Sequence, residues 1–246
     1  MNNVFIILVK PQLGQNIGSV ARVMKNLNFK NLRIVNPRDG WPNQDVISTA
    51  AGADDVITNT KVFDNVSEAC NDLNYLFASS ARKRDLNIKT LNLVNTVSSL
   101  KKTEFSRNDF KFGVLFGCES SGLSNEDLIT ANQLIYIPSN SDFSSLNISH
   151  AVSLICWEFF KFFNYLILDQ NSKISQNVSP TIKDMDYFYK NLCEKLNNSG
   201  FFHSDFMKKS IMENIKVLFN RAELSSQEIK TLNGIIKSLY EYNKQA

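Results

Sequence analysis

The sequence predicts an α/β protein, built on a mostly parallel sheet and carrying a small all-helical C-terminal extension. Three observations predict it. Short apolar runs bounded by polar, glycine or proline residues recur before residue 140. Helical apolar spacing alternates with those runs, and an alternation of strands and helices closes into parallel units. Near residues 169–180 the chain turns Gln-, Asn- and Ser-rich and loses its apolar period, and three amphipathic patterns follow.

The runs Phe5–Val9, Leu32–Val35, Tyr75–Ala78, Val114–Phe116 and Leu134–Ile137 read as buried strands, because they are short and rich in β-branched or aromatic residues. After Asn16, residues Ile17, Val20, Ala21, Met24 and Leu27 recur at helix spacing. Ser124 and Asp127 have the form of a capping box, with Leu123 and Leu128 placed as its hydrophobic staple. A long helix is predicted over residues 146–168. Ile148, Ala151, Val152, Ile155 and Phe159 share one of its faces, while Leu154, Trp157 and Phe160 lie elsewhere around it. A helix apolar nearly all round is covered on more than one side. A second subunit would cover it, and so would a second layer of the same chain. Residues 82–111 are mostly polar with weak periodicity, which is the pattern of a functional or mobile segment.

In the extension, Met185, Phe188, Leu192 and Leu196 mark a first helix, and Phe206, Ile211, Ile215 and Leu218 a second. Ile229, Leu232, Ile236 and Leu239 mark a third, opened by a Ser225/Glu228 capping box. The expected division is a main domain over residues 1–168, a linker over 169–180 and the helical extension over 181–246.

Composition narrows the function classes. The chain has 246 residues, 43% hydrophobic and 21% charged, which is an ordinary globular balance with length enough for a core without staples. A net charge of +3 permits a nucleic-acid partner without demanding one. Five of the seven arginines fall before residue 85. Cys70, Cys118, Cys156 and Cys193 form no metal-type pair, and His150 and His203 are the only histidines, so no metal site is expected. The N-terminus lacks a basic segment ahead of its apolar run, and no stretch approaches the roughly 20 apolar residues of a membrane span. The expectation is a cytoplasmic protein with reduced thiols and no membrane partner.

Three stretches carry candidate chemistry. Gly14-Gln15-Asn16-Ile17-Gly18-Ser19-Val20-Ala21-Arg22 follows a strand and opens a helix, where backbone N–H groups can meet a phosphate. It is not the GxGxxG dinucleotide fingerprint, and it also reads as a plain strand-to-helix turn. Arg22 falls on the rim of that helix, facing the same side as the turn. In Val114-Leu115-Phe116-Gly117-Cys118-Glu119-Ser120-Ser121-Gly122-Leu123, a strand ends in a glycine and a lone carboxylate. Ligands of open parallel sheets bind beyond the carboxyl ends of strands, and Glu119 sits there. In Ile137-Pro138-Ser139-Asn140-Ser141-Asp142-Phe143-Ser144-Ser145-Leu146-Asn147, a polar loop leads to a serine pair that caps the long helix or presents hydroxyls to a ligand. Arg82, Lys83 and Arg84 follow the strand end Ser79-Ser80 as a basic cluster suited to phosphate or to solvent. His150 reads as a packed or capping histidine.

Together, in this order and spacing, the three stretches resemble the SPOUT class of RNA methyltransferases, within it the subgroup that 2′-O-methylates ribose in tRNA. Asn16-Ile17-Gly18 to Arg22, Phe116-Gly117-Cys118-Glu119 with Gly122-Leu123, and Ile137-Pro138 with Ser144-Ser145-Leu146-Asn147 are similar to its three motifs. The run Ser79-Ser80-Ala81-Arg82-Lys83-Arg84, and Leu218-Phe219-Asn220-Arg221-Ala222-Glu223-Leu224 in the extension, narrow the likeness to enzymes acting on pyrimidine 32 of the anticodon loop.

The resemblance implies a deep trefoil knot in the C-terminal part of the sheet, S-adenosylmethionine held in it, a homodimer, and tRNA as substrate. It implies cofactor contacts at Ser79, Ser80, Ala81, Gly117, Ile137, Ser144, Ser145 and Leu146. It implies catalytic roles for Arg22, with Asn16, Glu119 and Ser145, and RNA contacts at Arg82 and Arg84. Cys118 and Ser120 flank Glu119 where close relatives carry arginines, a departure that bears on base preference. No histidine or aspartate stands out as a base, and an arginine with a pKa above about 12 loses a proton reluctantly. Arg22 is therefore expected to orient the reacting oxygen and offset its charge. The extension carries none of the motif residues, so it is expected to serve tRNA capture, with dimer packing as a second role, and to be dispensable for cofactor binding. A non-catalytic RNA-binding protein of the same fold is the alternative.

Overall fold

The computed structural model describes residues 3–81, 87–100, 107, 109–166 and 179–242. In chain order these form β1 (Val4–Val9), α1 (Gly14–Asn26), β2 (Asn31–Val35), α2 (Gln44–Ala50), α3 (Asp54–Thr58), β3 (Lys61–Phe63) and α4 (Val66–Cys70). There follow β4 (Tyr75–Ser79), β5 (Thr90–Asn92), α5 (Leu93–Ser98), β6 (Phe112–Phe116), α6 (Asn125–Leu128), β7 (Gln133–Tyr136) and α7 (Ile148–Leu166). The extension supplies α8 (Ile182–Asn198), α9 (Asp205–Arg221) and α10 (Ser226–Tyr242).

The strands form one sheet in the order β3-β2-β1-β6-β4-β7-β5, and every neighbouring pair is parallel. The expected α/β class with a helical extension is the one found. β7 lies between β4 and β5, although those two were laid down first, which is the insertion that a SPOUT trefoil requires. Side chains of β1 alternate between two cores: Val4, Ile6 and Leu8 on one face, Phe5, Ile7 and Val9 on the other. Burial on both faces explains why the central strands read as unbroken apolar runs. Edge strands β3 and β5 have three residues each and no such run, so the sequence did not disclose them.

Three expectations change here. Within the stretch over residues 82–111 the described residues include β5 and α5, and buried Gln133 donates to Thr96 Oγ1 at 3.0 Å to tie α5 to β7. Helix α7 starts at Ile148, not 146. Its cap is Asn147, whose Oδ1 accepts from Ser149 N at 2.9 Å and Ser149 Oγ at 2.7 Å, so Ser144 and Ser145 stay in the preceding loop. His150 is exposed and neither packed nor a cap, because Ile148, Val152 and Ile155 fill the inward face of α7. Both capping boxes form as the sequence indicates, at Ser124/Asp127 and at Ser225/Glu228.

The extension is docked tightly on the main domain. Ile182 and Val217 belong to the same buried cluster as Leu73, Leu76, Leu128 and Leu134. Val217, not Leu218, is the inward residue of that turn of α9; Leu218 and Leu239 face solvent. Ile182 N donates to Leu73 O at 2.6 Å, and Asn74 Nδ2 donates to Ser179 O at 2.9 Å. Buried Asn220 donates to Ile129 O at 3.0 Å, accepts from Tyr189 OH at 2.7 Å, and through its carbonyl accepts from Asn132 Nδ2 at 3.4 Å. The expected linker, residues 169–180, lies outside the described residues except for Ser179 and Pro180.

One ion pair, with Arg33 buried and Asp72 partly exposed, should make the fold acid-sensitive. Arg33 reaches Asp72 with two bonds of 2.6 and 2.9 Å, and Lys111 adds a third at 3.2 Å. Partial burial pushes the Asp72 carboxyl up, but the bonds and charges of Arg33 and Lys111 outweigh it and bring it to about 2. A carboxyl lowered from about 3.9 on folding stabilises the protein above that value and loses its contribution as pH falls towards the folded value. Asp72→Asn should therefore lower the denaturation midpoint at neutral pH, and the gap to wild type should close between about pH 4 and pH 2. A gap that persists at pH 2 would contradict this reading.

Candidate functional site

The carboxyl ends of β4, β6 and β7 meet in one open cleft of about 880 Å³, solvent at its mouth included. Ser79, Ser80 and Ala81 line it from β4, Gly117 to Leu123 from β6, Ile137 from β7, and Ser144, Ser145 and Leu146 from the loop before α7. The eight residues expected at the cofactor are thus brought together.

Gly117 is needed because the chain folds back on itself there. A Cβ at Gly117 would run into the backbone of Gly122 and Leu123, which the Cys118–Gly122 bridge holds close. The glycines of the first stretch act otherwise. A Cβ at Gly18 would meet Thr49 Oγ1 and the backbone of α2, so Gly18 lets two helices touch.

The three stretches are stitched together by polar side chains. Asn16 Nδ2 donates to Glu119 Oε1 at 2.7 Å, and Asn16 Oδ1 accepts from Asn147 Nδ2 at 3.0 Å. Glu119 Oε2 accepts from Gln12 N at 2.9 Å, and Gln12 Nε2 donates to Ser120 Oγ at 3.0 Å. Asn16 is buried inside α1, so its amide spans the gap between the second and third stretches. Both oxygens of Glu119 are committed to this bracing. Arg38, ion-paired with Asp39 at 2.8 Å, lies within electrostatic reach of Glu119. Gln12 and the bracing role of Asn147 were missed from the sequence; only the capping chemistry of an asparagine before a helix could have marked Asn147.

Arg22 is exposed on α1, beside the buried Ala21, and does not line the cleft. Arg82 and Arg84 lie outside the described residues. Between α1 and α7, Val23, Asn26, Leu27, Ser153, Leu154 and Trp157 line a shallow groove, with Leu154 and Trp157 exposed.

The same architecture and sequence recur in known proteins. The pattern of the SpoU rRNA Methylase family matches residues 3–157, and that of the tRNA methyltransferase TrmJ, C-terminal domain, matches residues 183–246. The chain is 32% identical over 247 aligned residues to the tRNA (cytidine/uridine-2′-O-)-methyltransferase TrmJ of Salmonella typhimurium, covering 99% of each. The chain belongs to the SpoU methylase family. The Shigella dysenteriae TrmJ is 33% identical, covering 99% of this chain and 98% of that protein. The crystal structure of TrmJ from Z. mobilis ZM4 superposes with a TM-score of 0.81 at 32% identity, covering 95% of this chain and 97% of that one.

Within this SpoU fold, Cys118 lines the cleft beside Glu119. Burial alone would raise its thiol, but hydrogen bonds with Ser121 at 2.9 Å and Ser120 at 3.5 Å, with backbone donors, bring it down to about 7. Iodoacetamide should alkylate Cys118 with a midpoint near pH 7, read by peptide mass spectrometry. Cys70 and Cys156 should stay unmodified while the protein is folded, because burial pushes both thiols up, Cys70 to about 12. A Cys118 midpoint near the free-thiol value of about 8.5 would contradict the assignment.

Proposed function

We propose that this SpoU protein is an S-adenosylmethionine-dependent tRNA methyltransferase that modifies the ribose 2′-oxygen of cytidine or uridine 32 in the anticodon loop. The observation that carries the reading is the single cleft in which all eight residues expected at the cofactor converge. Their chemistry fits the cofactor: the hydroxyls of Ser79, Ser80, Ser144 and Ser145 suit its polar groups, and Ile137, Leu123 and Leu146 offer apolar surface for an adenine ring. The glycines at the start of α1 serve helix packing and leave no pyrophosphate cradle, which disfavours a dinucleotide.

When bound, S-adenosylmethionine supplies an electrophilic sulfonium methyl group. The chain itself positions and stabilises. Asn16, Glu119 and Asn147 brace the loops of the cleft, so Asn16 and Glu119 act by holding shape, and Ser145 faces the cleft directly. Arg22 orients the 2′-oxygen and a neighbouring phosphate through its planar fork, and its charge offsets the developing oxyanion.

Arg22 lies outside the cleft of its own chain and next to Val23, which lines the groove carrying exposed Leu154 and Trp157. A homodimer closed over that groove covers the outer face of α7 and brings Arg22 to the edge of the interface. Arg82 and Arg84 contact the RNA backbone. No helix among the described residues is long and apolar enough to cross a membrane, and the proposed place of action is the cytoplasm.

Calorimetry tests the reading. S-adenosylmethionine should bind and slow the alkylation of Cys118, and nicotinamide dinucleotides should not bind. A folded dimer that binds no S-adenosylmethionine, even with tRNA present, would remove the enzyme reading and leave a non-catalytic RNA-binding protein.

A further inference from the structure

We infer that Phe143 is the stacking platform for the base of the target nucleotide, a residue that fixes the substrate and not the cofactor. The inference rests on the methyltransferase reading above. A ribose hydroxyl in an RNA loop reaches a cleft only if its nucleotide leaves the stack, and an unstacked base is stabilised by an aromatic face. Four aromatic side chains among the described residues are strongly exposed: Phe143 at 79%, Tyr187 at 71%, Phe201 at 50% and Trp157 at 48%. Tyr187 and Phe201 belong to the extension, and Trp157 to the groove beside α1. Phe143 alone of the four adjoins the cleft, one residue before Ser144, which lines it.

The ring is presented by a shaped loop. Phe143 N donates to Asn140 O at 3.1 Å, and Asp142 N donates to Asn140 Oδ1 at 3.0 Å. Ser139 Oγ donates to Ser144 O at 3.1 Å and closes the loop across its base. The loop therefore holds the aromatic ring out in water, next in the chain to the cleft-lining Ser144, where it adds nothing to the core. Stacking reads the face of a base and not its hydrogen-bonding edge, so one platform serves cytidine and uridine alike.

The test uses the full-length protein, Phe143→Leu and Phe143→Tyr, with an unmodified tRNA transcript as substrate. Initial rates against tRNA concentration give KM and kcat, and calorimetry gives the S-adenosylmethionine affinity. Phe143→Leu should raise the KM for tRNA on the order of 10- to 100-fold, the effect of losing one base–aromatic stack. Its cofactor affinity should match wild type, and Phe143→Tyr should restore most of the KM. A wild-type KM in Phe143→Leu overturns the proposal while leaving the enzyme reading intact. Weakened cofactor binding in that variant also overturns it, by assigning the ring to the cofactor. Wild-type protein that binds cofactor yet transfers no methyl group to tRNA brings down the enzyme reading, and this inference with it.

Discussion

Arg22→Ala should slow methyl transfer in a single turnover by about 10²–10³, the scale on which one preorganised donor to a developing oxyanion acts. The fold should survive, because Arg22 is exposed and the core face of α1 is carried by Ile17, Val20, Ala21 and Met24. Cofactor affinity should survive too, because Arg22 does not line the cleft. Arg22→Lys separates two mechanisms. If the arginine orients phosphate and ribose oxygens together, lysine keeps the charge but loses the fork, and activity stays low at every pH. If it acts as a general base, a lysine with a pKa of about 10.4 should regain activity as pH rises. Near-normal turnover by Arg22→Ala would make it an ordinary solvated side chain.

A chain ending near residue 169 should fail to fold stably and should lose cofactor binding along with tRNA methylation. Sequence reasoning pointed the other way, because no motif residue lies in the extension. The structure gives the extension a share of the main core. Removing it takes Ile182 and Val217 out of the buried cluster they share with Val66, Leu73, Leu128, Ile129 and Leu134. It also leaves Ile129 O without the amide of buried Asn220. Each side chain so exposed costs about 1.5–3 kcal/mol, and an orphaned buried polar group about 1–3 kcal/mol, against a total stability of about 5–15 kcal/mol. These residues sit on α4, on the turn before β4, on α6 and the turn after it, and on β7; β4 and β7 are strands whose ends line the cleft. Thermal melts and calorimetry on the shortened chain check this. A cooperative melt close to that of the full chain, with S-adenosylmethionine still bound, would contradict it.

Legibility in the sequence followed burial. The runs at β1, β2, β4, β6 and β7 were readable because those strands are covered on both faces. β3 and β5 were not, because three-residue edge strands such as Lys61-Val62-Phe63 carry no period. The cleft was legible because each of its loops follows an apolar strand and is marked by glycine, proline or serine. What one stretch contributes to another was not legible. Asn16 bridges Glu119 and Asn147 across more than 100 residues of chain, and nothing local to an asparagine inside a helix announces two such bonds. Asn220 was noticed as part of a motif, yet its work is to bond Ile129, Tyr189 and Asn132. Both are buried amides whose partners only the tertiary fold supplies, and a buried amide is retained only where its bonds are made.

The most direct measurement is a map of ribose methylation, nucleotide by nucleotide, in unmodified tRNA incubated with the full-length protein and S-adenosylmethionine. A single new 2′-O-methyl group at pyrimidine 32, lost in Arg22→Ala, is the expected result. Methylation on a base, methylation at some other ribose, or none at all from folded protein that binds the cofactor would contradict it.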